Sequence, residues 1–205
     1  MRVDFDPQAM PTQDVYRLLT AVVVPRPIAW VSTVSSDGGT ANLAPHSFFT
    51  ISSIRPPIVQ FTSVASRDSL RNVRETREFV VNLAPEPLMA EVNASGVDFP
   101  AEVDEFAAIG LATEPSLLVK PPRVAASPVA LECRLHSTIT LGDGTLVLGE
   151  VVHAVVDEAV LVDGHPEIGL LRPLSRLGRN EWGTTVEVVP VDRISYADWS
   201  RGERG

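Results

Sequence analysis

The stretch that most constrains the fold is residues 129–157, VALECRLHSTITL, GDG and TLVLGEVVHAVVD without a break. Its first arm alternates, which places Val129, Leu131, Cys133, Leu135, Ile139 and Leu141 on one face of an extended chain. Gly142-Asp143-Gly144 turns the chain, and 145–157 comes back as a second arm. That arm is apolar on both faces and is expected to be buried on both.

Other segments supply partners for this hairpin. IAWVSTVS (28–35) is β-branched and roughly alternating, and SSDGGT after it carries an Asp-Gly-Gly turn signal. The return arm ANLAPHSFFTIS contains Pro45, which points to an edge, a bulge or a bend. PPIVQFTS (56–63) and EFVVNLA (78–84) read as further strands. Short helices are expected at 14–19, through DSLRNVRETRE, through EPLMAEVNAS and through AEVDEFAAIG, the last stopped by Gly110. Six or more strands, mostly hairpin-linked, with short helices inserted, suit a closed or partly closed antiparallel barrel. The whole of 1–205 reads as one domain, with a barrel core at about 20–190 and a polar tail at 193–205.

Charge and composition exclude several functions. With 26 acidic against 17 basic side chains the net charge is −9, which disfavours sequence-independent nucleic-acid binding and docking on anionic membranes. Cys133 is the single cysteine, so neither an intrachain disulfide nor a cysteine metal framework can form. There is no basic-then-apolar leader and no membrane-length apolar run, so a cytoplasmic protein is expected. The sequence contains no GxGxxG opening a helix, Walker A motif, GxSxG elbow or HExxH. Its four histidines, at 46, 136, 153 and 165, lack ligand-like spacing.

Against that acidic background SRDSLRNVR (66–74) stands out. Asp68 is a plausible N-cap for a helix running through Arg77, and a helix N-terminus can hold an anion. Ser66 and Ser69 add hydroxyls, and Arg67 adds a guanidinium suited to phosphate. The alternative is an ordinary capped surface helix with its arginines paired to Glu75 and Glu78. NLAPHSFF (42–49) gathers polar hydrogen-bonding groups beside Phe48 and Phe49, which suits a planar heterocycle or else a bulged strand. Asn82 is a polar residue in an apolar strand whose amide needs partners, in the protein or in a ligand. His153 and Glu150 sit in the second arm of the long hairpin, and a strand histidine is more often structural than catalytic.

Read in order, RPIAWVSTVSSDGGTANLAPHSFFT (26–50), PPIVQFTS, RDSLRN (67–72), EFVVNLA, DEFAAIGL (104–111), VKPPRVAASPVALEC (119–133), LVLGEVV (146–152) and RPLSRLGRNEW (172–182) resemble the flavin reductase-like family of FMN-binding split barrels. The resemblance implies a mainly β fold with short α insertions, a six-stranded antiparallel Greek-key split barrel. It also implies a homodimer with FMN bound non-covalently near the subunit interface. The cofactor-binding positions it implies are Trp30 and Ser32; Asn42, Ala44, Ser47, Phe48 and Phe49 along the segment bordering the ring; Thr62, Ser63, Ser66, Arg67, Asp68, Ser69 and Asn72 around the ribityl phosphate; and Asn82. The chain has Arg67-Asp68-Ser69 where the family often has Lys-Asp-Thr, which keeps the charge and the hydroxyl. Thr50 stands where Asn is common, and Trp182 where Tyr is usual.

The activity implied is that of an NAD(P)H:flavin oxidoreductase, with NADH or NADPH as reductant and no metal. His153 and Arg179 are the candidates for touching the nicotinamide or the flavin, from the partner subunit. The alternative is a flavoredoxin-like electron-transfer protein reduced by a protein partner without direct use of NAD(P)H. A monooxygenase is a possible partner in either case.

Overall fold

The computed structural model describes residues 1–64, 67–184 and 187–201. The long hairpin forms as two strands named here β6 (Val129–Leu141) and β7 (Gly144–Val156), with Gly142 at φ 59 in the turn. Five earlier strands complete the main sheet: β1 (Ala29–Val34), β2 (Ala41–His46), β3 (Phe49–Ile54), β4 (Pro57–Val64) and β5 (Glu78–Leu83). The order across the sheet is β2-β1-β5-β6-β7-β4-β3, every pair antiparallel. The fold is mainly β with short helices, and the seventh strand has a simple origin. The return arm after the first turn is two strands, not one, divided at Ser47-Phe48. Pro45 stays inside β2, tolerated because β2 is an edge. The two-residue link joins the edge strands β2 and β3 and so curls the sheet upon itself, while Phe48 O accepts from Thr62 N at 2.9 Å and extends the β3–β4 ladder by one pair.

Strand β1 is buried along its whole length, and its alternation feeds two cores. Ala29 and Val31 join Phe61, Phe79, Val81, Cys133, Leu135 and Val147 inside the curl. Ile28 and Trp30 face the other way, toward Leu43, Val92, Phe106, Val124 and Leu174. The inner core is plugged by helix α2 (Asp68–Thr76) through Leu70 and Val73. The outer one is covered by α3 (Met89–Ala94) and α4 (Glu105–Ile109), the latter ended by Gly110 in the left-handed region at φ 72. Trp30 Nε1 donates to Ser95 Oγ at 2.8 Å, so the indole packs without leaving its one donor unmade.

Several sequence expectations need correction. Beyond Gly149, β7 is half-buried or exposed, so it is not covered on both faces throughout. Ile139 and Leu141 are 48% and 60% exposed, because the tip of the long hairpin runs past the core. The first helix spans Thr12–Val22, longer than 14–19. Its C-terminal carbonyls are held by buried Arg26, which donates to Thr20 O, to Val23 O at 2.9 Å and to Leu177 O at 2.7 Å. The N-cap of α2 is Arg67, not Asp68; the Asp68 carboxylate pairs instead with Arg71 one turn on, at 2.5 Å. The tail contains a helical turn, Tyr196–Ser200, whose N-cap Ser195 accepts from Asp198 N at 3.1 Å.

Gly149 is required by close approach: a Cβ there would lie 2.2 Å from Phe79 Cζ, in the middle of the inner core and at a bulge in the β6–β7 ladder. Overpacking of this kind costs about 1–3 kcal/mol. Gly149→Ala is therefore expected to lower the unfolding free energy by about that amount, read from the urea midpoint at unchanged m-value.

Candidate functional site

A cleft of about 720 Å³ opens where the curled sheet meets the start of α2. Seven pieces of chain wall it. The end of β2 gives Asn42, Ala44, Pro45 and His46, and the β2–β3 link gives Ser47 and Phe48. Thr62 and Val64 come from β4, and Arg67, Asp68 and Ser69 from the start of α2. The far wall is the turn after α3, Ser95–Phe99, with Glu105 of α4 behind it and Tyr16 of the first helix at the mouth. At Gly96 a Cβ would be tight only against Asn93 O, at 3.3 Å, and would make ordinary contact with Pro45 Cγ at 3.5 Å.

The charges around the cleft are paired one by one. Arg67 bonds Asp98 across the mouth, both side chains largely exposed. Asp68 is turned toward Arg71. Exposed ion pairs contribute only about 0–1 kcal/mol, so a doubly charged anion can take Arg67 from Asp98 at little cost. Arg77 donates to Leu135 O at 3.0 Å, and Glu78 accepts from Lys120 N at 2.9 Å. Arg67 and Arg71 thus pair with Asp98 and Asp68, not with the Glu75 and Glu78 of the alternative reading.

Deeper in, Asn42, Ser69 and Glu105 are all buried and touch one another. The Asn42 amide satisfies both neighbours when its NH₂ donates to Glu105 Oε1 at 3.2 Å and its oxygen accepts from Ser69 Oγ at 3.1 Å. Glu105 Oε2 accepts from Leu43 N at 3.2 Å. Burial pushes the Glu105 carboxyl up to about 7, opposed by its backbone hydrogen bonds and reinforced by the charges of Asp68 and Asp104. His46 lies beside this group, its Nε2 3.5 Å from Ser69 Oγ and its ring 4.6 Å from that of Phe61. Burial pulls its pKa down to about 4, a bond to Thr62 resists, and Arg67 adds to the fall.

Of the residues singled out in the sequence, Asn42, Ala44, Ser47, Phe48, Thr62, Arg67, Asp68 and Ser69 line the cleft. Ser66 lies outside the described residues. Ser63 is buried in β4, and Phe49 packs against the inner core. Trp30 is committed to Ser95, Ser32 Oγ donates to Pro122 O at 2.6 Å, and Asn72 Nδ2 donates to Thr33 Oγ1 at 3.1 Å. Asn82 finds its partners in the protein: it donates to Trp30 O at 3.0 Å and Ser32 Oγ at 3.3 Å, and accepts from Val124 N at 2.9 Å. His153 is half-buried on β7 opposite Glu132, and Glu150, also on β7, lies opposite Arg134. Arg179, at φ 52, accepts on its carbonyl from Arg176 at 3.2 Å. None of these three lines the cleft. Neither Glu105, which nothing local distinguishes from Asp104, nor His46, which lies within NLAPHSFF, is among the site residues expected from the sequence.

The sequence profile of the flavin reductase like domain matches residues 21–168. An uncharacterised protein of Deinococcus radiodurans is 39% identical over 95% of this chain and 91% of its own length. The solved structure of nitrilotriacetate monooxygenase component B from Bacillus cereus superposes with a TM-score of 0.90 at 28% identity, covering 93% of this chain and 99% of that one. A split barrel domain protein of Shewanella frigidimarina superposes with a TM-score of 0.82 at 19% identity, over 91% and 96% of the two chains, and establishes the fold as a split barrel.

The two buried titrations pull stability in opposite directions. Glu105 carries its proton up to about 7 in the fold but only to the usual 4.5 unfolded, so its share of stability falls as pH rises through that window. His46 is neutral down to about 4 in the fold but charges near 6.5 unfolded, so its share rises with pH between those values. Relative to wild type, Glu105→Gln should therefore gain Tm as pH rises from about 4.5 to 7, and His46→Gln should gain Tm as pH falls below about 6.5. Thermal melts of the three proteins across that range check both signs.

Proposed function

The chain belongs to the flavin reductase like domain family, and we propose that it holds FMN non-covalently in this cleft and acts in the cytoplasm as an NAD(P)H:flavin oxidoreductase. The observation that carries the reading is the convergence of Arg67, Ser69 and the first turn of α2 at the polar end of one cleft. Phe48 and Pro45 stand on its β2 side. The fit to FMN is good in size and chemistry. A cleft of about 720 Å³ lies inside the usual range for small-molecule sites. Arg67 and the α2 terminus suit a phosphate, and Phe48, 37% exposed, offers an apolar face to a ring.

Bound there, FMN supplies the acceptor for a hydride from a nicotinamide, and the protein's part is to bind, orient and exclude water. Arg67 and Ser69 hold the phosphate end, and Thr62 offers a hydroxyl beside them. Pro45, Ser47 and Phe48 border the ring. Trp30, Ser32, Asn72 and Asn82 act at one remove, since their bonds to Ser95, Pro122, Thr33 and Val124 fix β1, β5 and α2, the walls from which the contacting residues project. His153 and Arg179 can reach a cleft only if a second copy brings them there. Exposed Ile51, Ile54, Val64 and Leu141 on β3, β4 and the β6 tip give such a copy apolar surface to cover. A homodimer is thus part of the reading, and light scattering of the purified protein should return twice the 22.1 kDa chain mass.

The purified protein is expected to show a flavin absorption spectrum that bleaches with one equivalent of NADH or NADPH under anaerobic conditions. A flavin that both nucleotides leave oxidised would instead favour the electron carrier reduced by a protein partner. The similarity to a monooxygenase component supports a partner enzyme as the consumer of the electrons in either case. Replacing both Arg67 and Ser69 by Ala removes two phosphate contacts, so FMN affinity should fall about tenfold or more while riboflavin affinity holds. Fluorescence titration with the two flavins measures it.

A further inference from the structure

Asn42 stands between a buried carboxyl and a buried hydroxyl, and its amide can meet them in two ways. With Glu105 ionised, the Asn42 NH₂ must face the carboxylate, 3.2 Å away, and the amide oxygen then accepts the Ser69 hydroxyl hydrogen at 3.1 Å. Ser69 is left showing a lone pair to the cleft. With Glu105 protonated, its O–H can donate to the Asn42 oxygen across the same 3.2 Å, which needs the amide turned over. The Asn42 NH₂ then donates to Ser69 Oγ at 3.1 Å, and the Ser69 hydrogen, released from Asn42, can turn to a ligand oxygen in the cleft in place of the long 3.5 Å contact with His46 Nε2. In both arrangements Leu43 N can keep its bond to Glu105 Oε2 at 3.2 Å. Leu43 N also lies 3.2 Å from the end of the amide that faces Ser69, which favours the oxygen there and so the ionised arrangement.

We propose that Glu105, acting through the Asn42 amide, sets whether Ser69 offers a hydrogen or a lone pair to the cleft, so that a phosphate monoester binds there with uptake of one proton. Glu105 is a positioning residue in this scheme. It touches no ligand, and a single proton on it reverses the polarity of a hydroxyl one amide away. All three side chains are at least nine-tenths buried, so water does not short-circuit the relay. An anion needs donors, and a lone pair aimed at a phosphate oxygen is repulsive. The groups that face Glu105 push the same way: Asp68 from α2 and Asp104 beside it both favour the protonated form. Arg67 stands at the other end of the relay, and His46, beside Ser69, is neutral throughout the range of the test. Burial places the Glu105 titration near 7, inside the range in which a cell can use it.

The inference rests on the reading of the cleft as an FMN phosphate site, and the experiment separates the two. FMN and riboflavin are titrated into wild type and Glu105→Gln by calorimetry from about pH 7 to about pH 8.5, above the second phosphate titration near ~6. Two buffers of different ionisation enthalpy report the protons taken up. For wild type, the FMN dissociation constant should rise about tenfold over that range, with proton uptake approaching one per FMN at the alkaline end. Riboflavin should bind without a pH slope. Glu105→Gln carries a permanent donor toward Asn42, so its FMN affinity should be flat and its proton uptake nil. FMN binding to wild type without proton uptake, or an unchanged slope in Glu105→Gln, overturns the relay and leaves the cofactor site standing. A wild-type protein that binds neither flavin at any pH overturns both. The proton count in wild type needs no variant, so it decides even if Glu105→Gln does not fold.

Discussion

The structure depends on one strand being buried from both sides. β1 has Ala29 and Val31 in the inner core and Trp30 in the outer one, with Ile28 just before it, so neither the curled sheet nor the helical layer can form without it. A strand in that position meets water on neither face, and every polar group on it must be paired inside the protein. Asn82 on β5 does this, bonding Trp30 O and Ser32 Oγ on one side and Val124 N on the other. The same amide that satisfies β1 therefore pins the 122–124 segment over the sheet.

The cleft is a consequence of how that sheet ends. Ser47-Phe48 is too short to let β2 and β3 separate, so the edges stay together and the gap beside them is filled from elsewhere. α2 enters it end-on, driving Leu70 and Val73 into the core and leaving Arg67 and Asp68 at its start toward the surface. Local positive potential arises there from helix geometry plus Arg67, in a chain whose overall charge is negative. Burial is therefore graded across the site: exposed Arg67, half-buried His46, then buried Ser69, Asn42 and Glu105.

Much of this was legible in the sequence because it rests on period and turn chemistry. The alternation of 129–141 gave its strand at the observed bounds, and Gly110 marked the end of α4. What failed were inferences about ends and faces. Asp68 looked like a cap, but a carboxylate with Arg71 one turn away has a competing partner. The far half of β7 looked doubly buried, yet Ala154 is exposed, since apolar composition does not state how much neighbouring chain is present to cover a strand. Within the site, contiguous text such as NLAPHSFF and RDS pointed to the cleft wall, whereas Trp30, Ser32 and Asn82 are polar-capable residues in apolar strands whose partners proved internal. Glu105 was hidden for the opposite reason. Its environment is assembled from Asn42, Leu43 and Ser69, more than thirty residues away in sequence, and no local pattern records that.

Three carboxylates stand near the start of α2, and three different devices compensate or neutralise them. Asp98 is held by Arg67, an exposed pairing weak enough to be exchanged for a ligand. Asp68 is turned away to Arg71, which keeps its favourable position at the start of α2 while its charge is compensated. Glu105 has no cation within reach of an ion pair among the described residues, and burial leaves protonation as the remaining route to neutrality. The first two devices work at any pH near neutrality, because arginine does not titrate there. The third does not, so whatever pH sensitivity this end of the cleft possesses near neutrality is concentrated in the one carboxyl that lacks a counter-charge.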